Sequence, residues 1–409
     1  MVRTIPRRIA ASSNTPTYPR GPTTSREFAM TDTESTSVFN SSDAGSLAER
    51  KARHLEICVR PDVYAVETNR TGLDGVRFVH RALSEKNLAD CTTETEFLGL
   101  PISIPVFISS MTGGSDEAYR VNRELARAAQ IARIPVGMGS MRILFRKPEV
   151  IDHFRLKRIA PDVPVFTNIG GVQLPQISHS LIIETAKKIE VDAIAVHLNI
   201  GQELFQADGD TEFRGVLDGI RRLCEASPLP IIVKETGFGI SPDDVAALLD
   251  AGVRYVDLAG AGGTNWVRVE AHRSDDTTTA DEFSGWGLPT GVLLGALART
   301  GDGRKRDGIL ASGGIRTGME VAKCLALGAE AVGLALPFVR DVTSGGADAV
   351  VKRVEDIRTV LRSVMIMTDV ATPRELRSVP LWSTRAFDDE SASLAATATD
   401  EPGRDNADG

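Results

Sequence analysis

The sequence has no excess of positive charge and no long apolar run, and both absences exclude classes of function. Its 409 residues carry a formal net charge of -8 at pH 7, so bulk electrostatic attraction to nucleic acid or to anionic membranes is not expected. No run of about 18 or more apolar residues occurs, so no membrane span is predicted. Any anionic ligand must therefore be held by local clusters of Arg, Lys and backbone amides.

Cysteine is scarce as well. The chain has four cysteines, which lie far apart and form no CxxC pair: Cys58, Cys91, Cys224 and Cys324. Such usage is typical of a protein from a reducing compartment, and it provides no metal-binding framework. The sequence therefore predicts four unpaired thiols in a cytoplasmic protein.

Regular apolar patterns are missing at both ends of the chain. Residues 1–45 are rich in Ser, Thr and Pro, and they lack the apolar core of a secretory signal. The last residues, from Thr384 onward, are acidic and equally featureless. We predict a disordered leader over 1–45, a folded domain over 46–375 and a disordered acidic tail over 384–409.

The central span contains short apolar runs separated by helical stretches. Near-continuous apolar runs are typical of parallel strands that are buried on both faces of a sheet. The eight runs occupy residues 105–111, 134–140, 163–170, 192–199, 230–235, 255–263, 308–315 and 331–337. Eight strands, each followed by a helix, predict an α/β protein with a (β/α)8 TIM barrel, and an open doubly wound sheet is the alternative.

Polar residues follow the predicted strands at the point where each strand ends. Examples are Ser140, Asn168, His197 and Lys234. Because barrel active sites lie at the carboxyl ends of the strands, we expect these side chains to meet at one mouth. The long polar connection over 265–287 predicts a substrate-covering loop, with a disordered insertion as the alternative for its middle part.

Two glycine-rich loops favour a phosphorylated ligand. "SGGIRTG", residues 312–318, joins a strand to a helix whose first amides are unpaired, and its glycines allow close approach of the backbone. "ALPF", residues 335–338, completes the position after strands seven and eight where barrels often bind phosphate. "GAGGT", residues 260–264, adds a second amide-rich loop. Tight turns are the alternative explanation for either glycine loop alone.

Lys234 ends an otherwise apolar strand, where a lysine requires an anionic or polar partner. Three interpretations are open: a Schiff base with a carbonyl substrate, a cation beside a flavin ring, and a salt bridge with Glu235 or Asp257. A second cationic feature is "RKARHLEIC", residues 50–58, whose clustered basic groups suit an anionic ligand. A solvated helix start is the alternative there.

The stretch "VHLNIGQEL", residues 196–204, places His197, Asn199, Gln202 and Glu203 at a strand end. Alternation along a strand directs His197 and Asn199 to the same side. An imidazole, two amides and one carboxylate are thus brought together without a Cys or Ser nucleophile beside them. A polar strand end that arose by chance is the alternative.

The ordered set of motifs is far more specific than any single one. Arg50-Lys51 with His54 is followed by "MTGG" (111–114), "GSMR" (139–142), "NIG" (168–170), "HLNIGQE" (197–203), "GDTEF" (209–213), "KETGFG" (234–239), "AGAGGTNW" (259–266) and "SGGIRTG" (312–318). This set resembles the type 2, FMN-dependent isopentenyl-diphosphate isomerases over roughly residues 48–370.

The resemblance implies a barrel that interconverts isopentenyl diphosphate and dimethylallyl diphosphate. It also implies FMN, Mg2+ and, as the reductant of the flavin, NADPH or NADH. The FMN contacts that it implies are Thr112, Ser140, Asn168, Lys234, Thr264, Gly313, Gly314, Arg316, Ala335 and Leu336. The substrate contacts that it implies are Arg50, Lys51, His54, Arg142, His197, Asn199 and Gln202. It also implies Glu203 as the metal ligand, catalytic roles for Gln202, Lys234 and His197, and a homotetramer or homo-octamer.

The chemistry of the implied reaction agrees with a cofactor-dependent mechanism. Side-chain acids and bases are badly mismatched in pKa for moving an unactivated double bond, so the difficult step falls to a cofactor. Our hypothesis is that reduced FMN exchanges protons with the substrate through N5 while Lys234 stabilises the charge of the ring. Met141 and Asn265 depart from the family pattern, and both are expected to touch the cofactor or substrate pocket.

Three competing functions fit the sequence less well. A 2-hydroxy-acid oxidase needs a catalytic histidine after a late strand, where the sequence offers His272 in a polar stretch. An IMP dehydrogenase-like enzyme needs a cysteine nucleophile at its glycine loops, and Cys324 falls within a predicted helix. A non-catalytic flavoprotein leaves Gln202, Glu203 and the cationic cluster unexplained. The sequence favours the isomerase.

Overall fold

The computed structural model describes residues 53–111, 115–274, 278–300 and 307–398. The strands in these ranges are β1 (Val76–Phe78), β2 (Thr95–Phe97), β3 (Leu100–Ile102), β4 (Val106–Ile108), β5 (Val136–Ser140), β6 (Val165–Gly170), β7 (Ala193–Leu198), β8 (Ile231–Glu235), β9 (Tyr255–Asp257), β10 (Ile309–Ala311), β11 (Ala331–Leu334) and β12 (Leu381–Ser383). Strands β4 to β11 form a closed barrel in the order β10-β11-β4-β5-β6-β7-β8-β9. The predicted TIM barrel is confirmed, with each barrel strand inside one of the predicted apolar runs.

The barrel interior is divided into an apolar layer and a polar layer because side chains alternate along each strand. The lower layer contains Phe107, Phe166, Ala195, Ile232, Tyr255, Leu310 and Ala331. Two residues further along the same strands stand Ser109, Asn168, His197, Lys234, Asp257, Ser312 and Gly333. The period of two therefore places every polar side chain of this set at the carboxyl-terminal mouth.

Helices surround the barrel. They are α1 (the helical residues 53–59), α2 (Asp116–Ala132), α3 (His179–Lys188), α4 (Ile200–Phe205), α5 (Val216–Ala226), α6 (Pro242–Asp250), α7 (Trp266–Ser274), α8 (Thr278–Asp281), α9 (Thr290–Leu297), α10 (Gly318–Leu327), α11 (Leu336–Met367), α12 (Pro373–Leu376) and α13 (Arg385–Thr397). Short 3-10 helices cover Leu73–Gly75, Leu88–Asp90, Met141–Phe145, Pro148–Phe154, Leu156–Arg158 and Gly171–Gln173. Outward strand residues such as Val196 and Val233 form one large core with the apolar faces of the helices.

Helix boundaries follow ordinary capping chemistry. The Ser115 side chain accepts a hydrogen bond from the Ala118 amide at 3.1 Å and caps α2. Thr317 and Glu320 form a complete capping box at the start of α10. These caps satisfy amides that have no partner within the helix, so they fix where each helix begins. Helix α11 has a kink at Gly345 and Gly346.

A hairpin closes the bottom of the barrel. Strands β2 and β3 pair antiparallel, and their buried residues Phe97 and Ile102 join the apolar layer of the interior. The Phe97 ring is stacked with that of Tyr255, with centroids 4.9 Å apart. Because this end is filled by side chains, ligands have access only from the opposite mouth.

The C-terminal part of the fold differs from the sequence prediction. β12 pairs with β1, and α13 packs against α9, so the disordered tail predicted from 384 is wrong up to residue 398, and the domain extends beyond 375. Phe387 is buried in this contact. Because it is the one large aromatic residue in an acidic stretch, the sequence has no clear amphipathic pattern there, and the helix was not predicted. The predicted leader, 1–45, and residues 399–409 lie outside the described residues.

The connection over 265–287 also differs from the prediction of a loop. It contains α7 and α8, and only 275–277 of it fall outside the described residues. Its helices have many charged residues and therefore a weak apolar pattern. Among all described residues, none of the helices combines the length and the apolar character needed to cross a membrane.

Candidate functional site

One cavity at the barrel mouth is lined by most of the residues singled out in the sequence. The predicted cofactor contacts that line it are Ser140, Asn168, Lys234, Thr264, Gly313, Gly314, Arg316, Ala335 and Leu336. The predicted substrate and metal contacts that line it are His54, Arg142, His197, Asn199, Gln202 and Glu203. Arg50, Lys51 and Thr112 lie outside the described residues. Widely separated parts of the chain thus converge on one cavity.

Strand register places the central polar residues side by side. His197 is in register with Lys234, and Lys234 with Asp257, on neighbouring strands. Asn168 Oδ1 accepts a hydrogen bond from His197 Nδ1 at 2.8 Å. Because this bond uses Nδ1 as the donor, it fixes the orientation of the imidazole ring at the mouth.

Lys234 is buried at the cavity, close to acidic neighbours. Its Nζ donates a hydrogen bond to the backbone oxygen of Glu235 at 2.5 Å. Burial lowers the pKa of Lys234, and the charges of Asp257 and Glu235 oppose that effect. Burial likewise raises the pKa of Asp257, against the charge of Lys234 and a 2.7 Å hydrogen bond from the Ser312 hydroxyl. The site therefore holds a desolvated lysine whose protonation depends on the charges placed near it.

The carboxylate of Glu235 does not face Lys234 but binds the backbone amides of the turn after β8. One of its oxygens, Oε2, accepts hydrogen bonds from the amides of Gly237, Phe238 and Gly239, at 2.5, 2.5 and 3.2 Å. Its pKa is raised because burial outweighs these bonds and the charge of Lys234. Glu235 thus shapes the turn after β8, and Asp257 is left as the acidic group inside the barrel.

The start of α4 organises a second polar group. β7 ends at Leu198 and α4 begins at Ile200, so helical spacing brings Asn199, Gln202 and Glu203 together. Asn199 Nδ2 donates to Gln202 Oε1 at 3.2 Å and to Glu203 Oε1 at 2.9 Å. The amide of Asp210 donates to Glu203 Oε2 at 2.9 Å. Both oxygens of the Glu203 carboxylate are thereby oriented.

Glu270 joins this group to the N-terminal helix, and sequence reasoning missed it. Gln202 Nε2 donates to Glu270 Oε1 at 3.1 Å, and His54 Nε2 lies 2.9 Å from the same oxygen. Arg273 pairs with the other oxygen, Oε2. Burial alone would raise the pKa of Glu270, but the contacts with His54, Gln202 and Arg273 together lower it. A buried anion therefore fixes His54 and Gln202 on either side of itself.

Arg142 stands at another edge of the cavity. Its guanidinium lies 3.7 Å from a carboxylate oxygen of Asp210, and the same oxygen accepts a 3.2 Å hydrogen bond from Gln173. Arg142 and Asp210 are both partly exposed, so water screens this pair. A stronger anion that enters the cavity can therefore recruit the guanidinium from Asp210.

The two glycine-rich loops pack backbone against backbone. Gly313 and Gly314 have φ values of 95° and 79°, which side chains rarely adopt. A Cβ atom on Gly313 would lie 2.0 Å from the carbonyl oxygen of Gly260. The loops thus form a surface of main-chain atoms beside the N-terminus of α11, which is the type of surface that binds phosphate.

Several buried polar atoms of the residues that line the cavity lack hydrogen-bond partners. Ser109 Oγ, Ser110 Oγ and Asn199 Oδ1 have no hydrogen-bond partner among the described residues, and all three residues line the cavity. Buried polar groups are normally hydrogen-bonded. Two hydroxyls and an amide oxygen are therefore available to hydrogen-bond a polar ligand in the cavity. The two serines directly follow β4, so the rule about strand ends, applied to "VFISSM", would have found them.

Met141 and Asn265 do not line the cavity, so the expectation that both touch it is wrong. Met141 is fully buried within the large core. Asn265 Oδ1 accepts a hydrogen bond from the amide of Arg268 at 3.2 Å, and its Nδ2 donates to the Phe283 oxygen at 3.0 Å. Both departures from the family pattern are thus accommodated by packing and by the start of α7.

The donors do not form a metal site by themselves. No group of three or more His, Cys, Asp or Glu side chains suited to a metal ion occurs in the described part of the chain. Glu203 offers an oriented carboxylate at the cavity. Mg2+ commonly binds to one or two carboxylates together with phosphate oxygens of a substrate, and Glu203 fits that pattern.

Comparisons with known proteins agree with this geometry. The sequence matches the family described as FMN-dependent dehydrogenase over residues 60–198 and 201–383. A protein of Borrelia garinii subsp. bavariensis named isopentenyl-diphosphate delta-isomerase is 44% identical over 332 residues, covering 81% of this chain and 92% of the relative. Proteins of the same name from Synechococcus sp. and Halobacterium salinarum are 41% and 40% identical, covering 79% and 82% of this chain and 93% and 94% of those relatives.

Solved structures show the same barrel. A mandelate oxidase variant with a monooxide FMN adduct has a TM-score of 0.56 and 19% identity, covering 80% of this chain and 92% of that one. A mandelate oxidase variant with (S)-mandelic acid has a TM-score of 0.55 and 18% identity, covering 84% and 98%. At this level of identity the likeness shows the fold alone.

Proposed function

The chain belongs to the FMN-dependent dehydrogenase family and, within it, to the isopentenyl-diphosphate delta-isomerases, and on this basis we propose that its cavity interconverts isopentenyl diphosphate and dimethylallyl diphosphate. The observation that carries the proposal is the convergence of two different polar zones on one cavity. One zone is the pair of glycine-rich loops beside α11. The other is the network of His54, Asn199, Gln202 and Glu203. A flavoprotein that only stores its cofactor has no use for the second zone.

The first zone and the polar residues that line the cavity from the other barrel strands together fit FMN. Ser109 and Ser110 provide buried hydroxyls without partners in the described chain, and Lys234 lines the same cavity from another strand of the barrel. Such groups suit the polar edge of a flavin ring. The main-chain surface at Gly313 and Gly314 suits the phosphate. Ser140, Asn168, Thr264, Arg316, Ala335 and Leu336 complete the proposed set of contacts, together with Thr112 outside the described ranges. When bound and reduced, FMN supplies a proton-exchanging group that the side chains of the cavity do not match.

The second zone fits a diphosphate. Arg142 and His197 face the cavity from different elements, and His54 enters it from the N-terminal helix. Arg50 and Lys51, which precede the described residues, are proposed to add charge. Arginine is suited to bidentate contacts with phosphate oxygens, and Asn199 adds amide contacts. Glu203 is proposed to hold Mg2+ against the same diphosphate, since both of its oxygens are oriented.

Gln202 is the group proposed to lie beside the isoprene carbons. Its amide is fixed at both ends, because Nε2 donates to Glu270 and Oε1 accepts from Asn199. A fixed amide can hold the hydrocarbon part of the substrate in one orientation and keep water from the reacting carbons. Lys234 is proposed to stabilise negative charge inside the barrel, since a desolvated ammonium interacts strongly with a neighbouring anion.

Two competing functions lose their candidate residues. His272, the histidine available to a 2-hydroxy-acid oxidase, packs its ring against Tyr64 at 5.2 Å and is not among the residues that line the cavity. Cys324 is buried within α10. Cys58 does line the cavity, but burial raises its pKa to about 12, so the thiol stays protonated and is a poor nucleophile.

An anaerobic assay tests the proposal. Purified protein is expected to carry a flavin spectrum and, after reduction with NADPH and addition of Mg2+, to convert isopentenyl diphosphate into dimethylallyl diphosphate. The matched control is the oxidised protein, which is expected to be inactive. Failure of the reduced, FMN-loaded protein to form dimethylallyl diphosphate would overturn the proposed isomerase activity. Oxygen consumption with 2-hydroxy acids would favour the oxidase instead.

NADPH as the reductant, the cytoplasmic location and the homotetramer or homo-octamer remain predictions. The first and the third come from the resemblance, and the second comes from the cysteine pattern. The cysteine pattern supports the second of these, because Cys58, Cys91, Cys224 and Cys324 are all free thiols, as in proteins of reducing compartments. Analytical ultracentrifugation of the full-length protein tests the assembly, and a monomer would contradict it.

A further inference from the structure

A segment that crosses the outside of the two glycine-rich loops ties several elements together. We call residues 65–73 the strap. Its carbonyl oxygens accept hydrogen bonds, each of 2.7 Å, at three places: from Asn265 N to Val66, from Gly291 N to Thr71 and from Lys323 Nζ to Leu73. The donors belong to the starts of α7 and α9 and to α10. The strap therefore fixes the elements that flank the proposed cofactor site.

Within the strap, Glu67 makes two contacts that meet at this site. Its backbone forms an antiparallel bridge with Thr264, and its carboxylate pairs with the guanidinium of Arg316. Arg316 Nη1 donates to its neighbour's carbonyl, that of Ile315, at 2.8 Å. A Cβ atom on Gly263 would lie 3.6 Å from Arg316 Nη2. The guanidinium is thus held across both loops by groups on opposite sides.

We propose that Glu67 is a positioning residue for the phosphate of the cofactor, acting through Arg316. The proposal rests on the proposed function, since it requires FMN with its phosphate at these loops. Glu67 is not among the residues that line the cavity, whereas Arg316 is. A long arginine side chain loses much conformational freedom when it binds a ligand, and an ion pair that orients it beforehand reduces that cost.

The geometry also decides the sign of the effect. A carboxylate near a phosphate would repel it, but Glu67 is paired with Arg316, and a phosphate bound by the remaining donors of the guanidinium would share that cation. Arginine has five N–H donors, and the pairs with Glu67 and Ile315 leave donors for a phosphate. Glu67 and Arg316 are each about one-third exposed, at 33% and 30% of their side-chain surfaces. Water therefore screens the residual repulsion, and orientation is the larger effect.

Binding of FMN and of riboflavin separates this role from a structural one, because riboflavin lacks the phosphate. We would titrate both flavins into flavin-depleted, full-length protein and follow flavin fluorescence. Glu67→Ala is expected to raise the Kd for FMN about tenfold, as loss of one charge-assisted contact does, and to leave riboflavin binding unchanged. Glu67→Gln keeps an oxygen acceptor for Arg316 and is expected to retain most of the FMN affinity.

Glu355→Ala is the matched control, because it removes an Arg–Glu pair on α11 that does not line the cavity, and its Kd for FMN is expected to equal that of the unchanged protein. Equal weakening of FMN and riboflavin by Glu67→Ala would overturn the proposal, since it would mean that the strap only supports the fold. Unchanged or tighter FMN binding in that variant would overturn it too. If the unchanged protein binds no FMN, the proposed function fails first, and the inference with it.

Discussion

Glu203 is held at both carboxylate oxygens, one by the Asn199 amide and the other by the Asp210 backbone. Neither contact is with a cation, so the negative charge of Glu203 remains available to a metal ion. Such an arrangement orients a carboxylate for a ligand without neutralising it. This distinguishes Glu203 from Glu270, whose charge is already compensated by basic neighbours.

Glu203→Gln is therefore expected to act on the metal requirement. The Mg2+ concentration that gives half-maximal isomerase activity should rise about tenfold or more, because a neutral amide is a weaker ligand for a hard cation. A Mg2+ titration of the reduced enzyme measures this change, with Glu355→Gln as the control. An unaltered metal requirement would remove Glu203 from the proposed role.

Glu270 leads to a prediction about pH. Its pKa is lowered in the folded protein, against the effect of burial, by His54, Gln202 and Arg273. A carboxyl whose folded pKa lies below its unfolded value adds stability above the unfolded pKa, and that stability is lost as the pH falls through the folded pKa. The contribution should thus be complete at pH 7 and disappear only in acid, below about pH 5.

Glu270→Gln is expected to lower the free energy of unfolding by about 2 kcal/mol at pH 7, because charged hydrogen bonds are replaced by neutral ones. The difference from the unchanged protein should shrink as the pH is lowered. Urea unfolding at a series of pH values measures it. A difference that stays constant down to pH 3 would show that the charge of Glu270 contributes nothing.

At the scale of the element, the loop after β10 depends on glycine for a steric reason. Gly313 has a positive φ, and a Cβ atom at this position would clash with the carbonyl oxygen of Gly260, which would lie 2.0 Å away. Gly313→Ala should therefore force the loops apart, with a loss of about 3 kcal/mol of stability and a loss of FMN retention. Gly285→Ala is the control, because no atom lies within 4 Å of its Cβ position. Thermal unfolding and flavin content measure both effects, and wild-type values for Gly313→Ala would contradict the steric argument.

The sequence predicted elements well where burial leaves a strong pattern. The barrel strands are buried on both faces, so their apolar runs located all eight of them. The position of His197 and Lys234 at strand ends then located these residues at the mouth. α7 and α13 were missed because their buried faces are narrow and their remaining positions are charged or small. Glu270 was missed for a related reason: as a carboxylate among basic residues, it has the sequence pattern of a solvated helix face.

At the scale of the whole molecule, the C-terminal helix belongs to the barrel domain. Phe387 is buried, and its side chain packs against Gly75 and Gly295, where a Cβ atom would be too close to it. Phe387→Ala should lower the free energy of unfolding by about 3 kcal/mol through the cavity it leaves. Glu390→Ala, at an exposed position of the same helix, should change it by less than about 0.5 kcal/mol. Equal effects of the two substitutions in urea unfolding would show that α13 is not part of the core.

The pairing of β1 with β12 joins Val76 to Ser383, and this contact spans almost all of the described chain. On a ribosome, β1 emerges early and remains an unpaired strand until the last part of the domain follows. Unpaired strand edges promote association with other chains. The nascent protein thus carries an open strand edge from the synthesis of β1 until β12 has been synthesised.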